Sequence, residues 1–323
     1  MDNEFKLATN LTPFSRTSDR FVTAGYTQEY EFNKKLEMVA AVDGIMGVDM
    51  SWPCQFPSGA TMKKTLDSFG LKLCTLDTDI YTDPLFKNGS LSNPDPKIRR
   101  AAIDLTKRAI DAAIEAGTPD INLWLGQDGF EYIFQGHYPD AWNFIVEGLQ
   151  ELAEYNNKMP ISLEYKLKEP RANEYVANVG IALLLVNKIN KPHVGITLDV
   201  GHSLAALENA ANAACLALRE GRLQQIHLND NYRDWDHDLI PCSINFWEHV
   251  EFFYWVRKLG YKGWYDADIF PYRDDGTEVL RRTVQTCRKC LQMVDKLMEI
   301  DVEGLLRSRQ HLEVMRLLWD MIG

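Results

Sequence analysis

The chain lacks the glycine-rich loops that cradle phosphates. Neither GxGxxG nor GxxxxGK[ST] occurs, so nucleotide binding through either fingerprint is not indicated. Positive charge is in short supply: 35 Lys and Arg face 46 Asp and Glu, a net charge of −11. That balance argues against a nucleic-acid or anionic-membrane partner. It weighs only lightly against a polyanionic substrate, because a local basic pocket overrides the net field. No apolar run reaches the length of a membrane span, and the opening MDNEFKLATN has no apolar h-region of a signal peptide. The six cysteines are scattered and do not form a disulfide framework. A cytoplasmic enzyme is the expectation. Cys287 and Cys290 make a lone CxxC in TVQTCRKCLQMV. With no second cysteine pair nearby in sequence, they are expected as partly buried helix residues rather than a redox pair or half a zinc site.

What the chain does have is alternation. Its 323 residues, 46% hydrophobic, can fill one large core. Strand-like runs fall at 5–10, 44–50, 71–77, 121–126, 161–166, 195–200, 223–229 and 263–270. Between and after them lie helical patterns near 27–41, 58–69, 97–117, 138–157, 172–189, 203–219, 245–259 and 277–299. In KIRRAAIDLTKRAIDAAIEAG apolar residues recur every three and four positions, and Gly117 stops the run. Eight strands alternating with eight helices predict the α/β class and a single (β/α)8 TIM barrel over 1–300, with a short C-terminal helical extension over 301–323. In that tail Leu305, Leu306, Leu312, Met315, Leu317, Leu318, Trp319 and Ile322 offer an apolar surface. It is expected to meet a neighbouring subunit, or else to pack on the barrel.

Several strand-like runs end in metal-ligand residue types. They are Glu164 in ISLEYK, Asp199 and His202 in GITLDVGH, His227 in IHLND and Asp268 in GWYDADIF. Asp236 and Asp238 lie in the long, Asp-rich loop 230–243. Parallel barrel strands converge at one mouth. Gathering carboxylates there without a cation would cost several kcal/mol or raise their pKa values. Imidazole and carboxylate without thiolate suit Mn, Mg, Co or Zn. One divalent ion, or two, is therefore expected. Glu164, Asp199, His227 and Asp268 form a first group, and His202, Asp236 and Asp238 a second, with Asp199 bridging. Lys166, two residues beyond Glu164, shares its face in an extended strand. Its ammonium would either stabilise charge on a substrate oxygen or balance the carboxylates. Trp124 and Asp128 are candidate substrate contacts, with Trp52 and Asp77 as similar candidates after the second and third strands. His137 and His249 are expected as surface or core histidines.

The runs LEYKLKEP, LDVGH, HLNDN…DHDLIPCSIN and YDADIF, in that order, resemble the xylose isomerase-like barrel superfamily and within it the L-rhamnose isomerase branch. The likeness covers the fourth strand to the eighth. The resemblance implies an aldose–ketose isomerase using a metal-assisted 1,2-hydride shift on an open-chain, unphosphorylated sugar such as rhamnose, a pentose or branched apiose. It implies a structural metal on Glu164, Asp199, His227 and Asp268, and a catalytic metal on Asp199, His202, Asp236 and Asp238. Lys166 would act at the carbonyl end, and Mn or Mg would be the usual ion. Glu164 and Asp268 also stand where the ketose 3-epimerases of the superfamily carry two glutamates as proton donor and acceptor, so an epimerase is the alternative. The shorter Asp268, Lys166 and the DHD loop favour the isomerase. A homodimer or homotetramer, and no nucleic-acid or membrane partner, complete the expectation.

Overall fold

The computed structural model describes residues 5–55 and 58–321. Eight parallel strands close into a barrel: β1 (Lys6–Thr9), β2 (Gly47–Trp52), β3 (Lys72–Thr78), β4 (Ile121–Trp124), β5 (Ile161–Glu164), β6 (Val194–Asp199), β7 (Leu223–Leu228) and β8 (Trp264–Ala267). Each pairs with its sequence neighbours, and β1 closes the ring against β8. Strands such as ISLE and VGITLD are buried along their whole length. That is the pattern of parallel strands covered on one side by helices and filled on the other by barrel side chains. The pairing Asp199↔His227 and His227↔Asp266 brings the ends of β6, β7 and β8 to one level.

The helices follow from local chemistry. Helix α3 (Pro96–Ala116) starts where the Asp95 carboxylate accepts from the Lys97 N–H at 2.8 Å, with proline at the first helical position. It stops at Gly117, whose φ of 74° closes the left-handed cap. Helices α1 (Phe32–Ala40), α2 (Gly59–Ser68) and α4 (Tyr138–Tyr155) also sit within the expected stretches. So does α8 (Phe246–Lys258), and α9 (Gly276–Met298) runs one residue ahead of the expected 277–299.

Three expectations need correction. The predicted helix 172–189 begins only at Val179 (α5, Val179–Ile189). Before it, Asn173–Glu174 pairs antiparallel with Gly129–Phe130 as a small ribbon beside the mouth. The predicted helix 203–219 is two, α6 (Val200–Ala205) and α7 (Ala210–Arg219). The chain breaks at Leu207, with φ at 59°, and Asn209 caps the second helix. The tail is likewise two helices, α10 (Val302–Arg307) and α11 (His311–Asp320), separated at Arg309 with φ at 59°. Periodicity ran through each break because the flanking apolar residues kept helical spacing on both sides.

The tail lies on the barrel's outer layer. Val302 is buried, and Trp319 meets Trp247 of α8 edge to face at 6.1 Å. Leu312, Met315 and Trp319 nonetheless stay largely exposed. Ile322 lies outside the described residues. Cys287 and Cys290 are fully buried rather than partly buried, and Cys242, from the loop after β7, joins them closely enough that both thiols act on its own. All three cysteines are free.

Candidate metal centre

At the C-terminal mouth of the barrel, Glu164, Asp199, His227 and Asp268 each offer one ligand atom, and the four atoms lie within 4.8 Å of one another. Three sit on strands β5, β6 and β7, and Asp268 follows β8 by one residue. The set arises because each strand ends on its ligand residue or within a residue or so of it.

Outer partners hold these side chains in place. Asn122 on β4 donates to Glu164 Oε2 at 2.7 Å, and Thr197 donates to Asn122 Oδ1 at 2.6 Å. Asp199 caps α6, accepting from the His202 N–H at 2.8 Å, while its other oxygen accepts from Asn229 Nδ2 at 2.9 Å. Asn10 at the end of β1 donates to Asp268 at 2.5 Å. Gly201 is required by close approach: a Cβ there would stand 1.7 Å from Asn229 Oδ1. The glycine of LDVGH therefore makes room for the amide that orients Asp199. His249, buried in α8, bonds through Nε2 with the Asn229 carbonyl at 3.1 Å, so the core histidine fixes the backbone that carries this amide. The sequence reading passed over Asn10, Asn122 and Asn229. Asn229 stands two residues beyond His227 in IHLND, the signal that could have found it.

The second group adjoins the first. His202 Nε2 meets Asp236 Oδ2 at 3.0 Å, and its Nδ1 lies 3.2 Å from Glu164 Oε1. Lys166 Nζ sits 2.9 Å from Asp236 and 3.0 Å from Glu169, over the face of Trp124 at 5.2 Å. Strand β5 ends at Glu164, so strand alternation does not aim Lys166. The loop does, through the Lys166 N–H donating to the Val176 carbonyl at 3.0 Å. The loop bearing Asp236 and Asp238 has a locked base. Asp230, fully buried, accepts from the Ile244 and Asn245 N–H groups at 2.8 and 3.0 Å. Asp230 and Leu239 also exchange two backbone bonds. Asp238 itself has φ at 47° and lines the same mouth.

Other candidates separate cleanly. Trp124 and Asp77 line the mouth. Asp128 does not: it is buried and clamped by the Ser90 N–H and hydroxyl and by the Ser92 N–H. Its oxygens are spent on holding the 89–93 loop, so the structure removes it from the substrate-contact set. Trp52 is not among the mouth-lining residues and stacks near Arg108 instead. His137 is an exposed helix cap. The barrel interior also carries two buried acids that the sequence pattern does not single out, Asp49 and Asp266, and each of them, like the half-buried Asp77, leaves an oxygen without a hydrogen-bond partner. Strand alternation alone could have flagged Asp49 and Asp266 as inward-facing.

The electrostatics describe a site built for positive charge. Burial works against the imidazolium of His202, yet Asp199 and Asp236 hold its pKa up to about 9. His227 is also held well above its ordinary value against burial, chiefly by Glu164. Burial opposes the Glu164 carboxylate too, but His227 carries it down to about 2. Burial pushes Asp199 up to about 6 and Asp266 up to about 8. Both ring nitrogens of His227 and one oxygen of Asp236 are buried without a hydrogen-bond partner. Oxygen and imidazole donors converging on orphaned buried atoms fit a divalent cation, which would satisfy them.

A pH prediction follows for the metal-free protein. Burial lifts Asp120 to about 7, as it lifts Asp266 to about 8, and His202 stands at about 9. In each case the folded chain keeps a proton that the unfolded chain, at its lower pKa, has released. This contribution to stability is full below the unfolded value and is lost as pH rises through the folded one, at about 1.4 kcal/mol per pH unit for each group within its window. Thermal melts of metal-stripped protein should therefore fall from about pH 6 to about pH 9. Added Mn should flatten the trend, because metal binding needs the ligands deprotonated. A metal-free melt that rises over that range would refute the assignment.

Residues 39–290 match the family described as "Xylose isomerase-like TIM barrel". Among curated relatives, the xylose isomerase of Thermus thermophilus is 29% identical over 233 residues, covering 70% of this chain and 60% of the relative. The chain thus spans about three-fifths of the length of the curated relative it matches. Among solved structures, an L-ribulose 3-epimerase superposes with a TM-score of 0.69 over 91% of this chain and 97% of its own, at 15% identity. A D-tagatose 3-epimerase-like protein superposes with a TM-score of 0.68 over 91% of this chain and 100% of its own, at 16% identity. At those identities the superpositions speak to the fold alone.

Proposed function

This chain belongs to the xylose isomerase-like TIM barrel family, and from that premise we propose that it is a divalent-metal-dependent aldose–ketose isomerase acting on an open-chain, unphosphorylated sugar. The observation that carries the reading is the second group. Lys166, His202 and Asp236 form a contiguous ion-paired set at 2.9–3.0 Å beside the four-ligand cluster. A centre of that size accommodates one ion or two, with Mn or Mg the expected metal and Co a possible substitute.

When bound, a divalent cation supplies the charge that orients neighbouring sugar oxygens and polarises the carbonyl. The chain's own residues do the rest. Glu164 and Asp268 face each other across the cluster, and Asn122 and Asn10 hold them against rotation. Lys166 stays protonated: burial opposes its charge, but Asp236, Asp238 and Glu169 outweigh it. It is therefore poised to donate to a sugar oxygen that gains negative charge. Trp124, tilted edge-on to Tyr81 at 4.7 Å, supplies an apolar wall for C–H faces. Rhamnose, simple pentoses and branched apiose fit this chemistry.

A second reading is a metal-dependent ketose 3-epimerase, in which Glu164 and Asp268 exchange a carbon-bound proton. It is favoured by those two carboxylates lying within 4.8 Å in one cluster. Turnover of an aldose and ketose panel in D2O, with metal-stripped enzyme given back Mn, Mg or Co, separates the readings. A hydride shift keeps the migrating hydrogen and gives aldose–ketose conversion without solvent deuterium on carbon. Ketose-to-ketose conversion with deuterium incorporated would replace the isomerase by the epimerase.

Assembly as a homodimer or homotetramer belongs to the same proposal, with Leu312, Met315 and Trp319 of α11 as the contact face. Leu312→Ser with Met315→Ser should lower the mass measured by sedimentation velocity. An unchanged mass would move the contact elsewhere.

A further inference from the structure

The mouth above the ligands has a volume of about 420 Å³. Beside it, against the β7 and β8 loops, lies a groove of about 1150 Å³. The two spaces share Glu169, Pro170, Asp236, Asp238, Phe270 and Tyr272 as common wall. A site that encloses a drug-sized ligand measures roughly 300–1,000 Å³, so the mouth alone suffices for a single sugar and the groove is surplus to it.

The groove's lining has a definite chemistry. Tyr272 and Phe270 stand at the junction, and Trp235, Phe21 and Ile244 line it further out. Phe21 is 76% exposed and Trp235 46%. The aromatic planes are interleaved with groups that can hydrogen-bond, among them Asp19, Arg20, Arg273 and His237. Flat apolar walls with polar groups between them suit a ring whose faces are C–H and whose edge is hydroxyl. The strongly exposed Phe21 and Trp235 mark the groove as a contact surface rather than incidental surface.

We propose that this groove is a second subsite, and that the substrate is a sugar carrying a further sugar ring on the end away from its reacting carbons: a short reducing oligosaccharide rather than a free monosaccharide. The inference rests on the isomerase reading for its reacting end, since the carbons at the cluster must keep a free carbonyl. The second ring then lies against Tyr272 and Trp235, and Phe21 closes the far side.

The test uses the full-length, Mn-loaded enzyme with matched pairs: xylose and xylobiose, glucose and cellobiose. Binding by calorimetry and kcat/KM are both measured. The expected result is a preference of about tenfold for the disaccharide of at least one pair, the size of one added aromatic contact. Phe21→Ala and Trp235→Ala should erase it while leaving the monosaccharide constants unchanged. Equal binding of both members of every pair, or a preference indifferent to both variants, overturns the proposal. So does concentration-dependent shielding of Trp235 from acrylamide quenching, which would show a second copy of the chain seated in the groove. The two readings fail separately. Disaccharide-selective binding without turnover would keep the subsite and remove the isomerase. Isomerisation of xylose without any disaccharide preference would keep the isomerase and remove the subsite.

Discussion

Replacing Glu164 with glutamine should abolish metal binding and turnover while the barrel stays folded. Glu164 reaches both histidines of the two groups: it lies 3.5 Å from His227 Nδ1 and 3.2 Å from His202 Nδ1. Its pKa, carried down to about 2 by His227 against burial, keeps it ionised over the whole working range. Glutamine retains the shape and can still meet Asn122, but it brings no negative charge and turns a donor face toward the cluster. Losing an outer partner of a metal ligand costs roughly 10–100-fold in metal affinity, and Asn122→Ala should fall in that range. Glu164→Gln, which removes the ligand itself, should exceed it. Metal content by mass spectrometry and far-ultraviolet circular dichroism read the two halves of the expectation. A Glu164→Gln protein that holds stoichiometric Mn and turns over normally would displace the cluster from the centre of the mechanism.

Lys166→Met should lower kcat by about 10²–10³-fold, the range seen when one preorganised donor to a developing oxyanion is lost, with metal content unchanged. Methionine keeps the apolar stem against Trp124, where the ammonium now sits 5.2 Å from the ring centre. Removing the ammonium also frees Asp236, whose pKa Lys166 and His202 help to hold far below the ordinary carboxylate range. If Lys166 served only to balance charge, its loss would shift metal affinity and thermal stability and leave kcat intact. The separation of kcat from metal occupancy therefore decides between a group that acts on the substrate and one that neutralises its neighbours. Adding the Asp236→Asn change would couple strongly to Lys166→Met, because the two side chains are in contact.

Legibility differed by the range of the interaction involved. Glu164, Asp199, His227 and Asp268 could be read as a group because a barrel's parallel strands deliver their last residues to one mouth whatever the loops do. Lys166 could be named but not placed by strand alternation, since β5 stops two residues earlier and a backbone bond to Val176 sets its position. Asp128 shows the converse. Its place just after β4 suggested the mouth, yet three donors from the 89–93 loop, distant in sequence, claim its oxygens. The cysteines make the same point, because nothing in the CxxC of α9 announces that Cys242 will join it from the loop after β7.

Read alone, the amino-acid order determined the alternation of strand and helix, the closed parallel barrel and the ligand residue types, because these depend on periodicity, capping and short-range spacing. Only the tertiary structure decided where the helices at 172–189 and 203–219 truly begin and break, and which asparagines brace the ligands. It alone showed that an aromatic groove adjoins the mouth. Those outcomes depend on contacts between residues tens to hundreds of positions apart, and on left-handed backbone turns at Leu207 and Arg309, which no local pattern encodes.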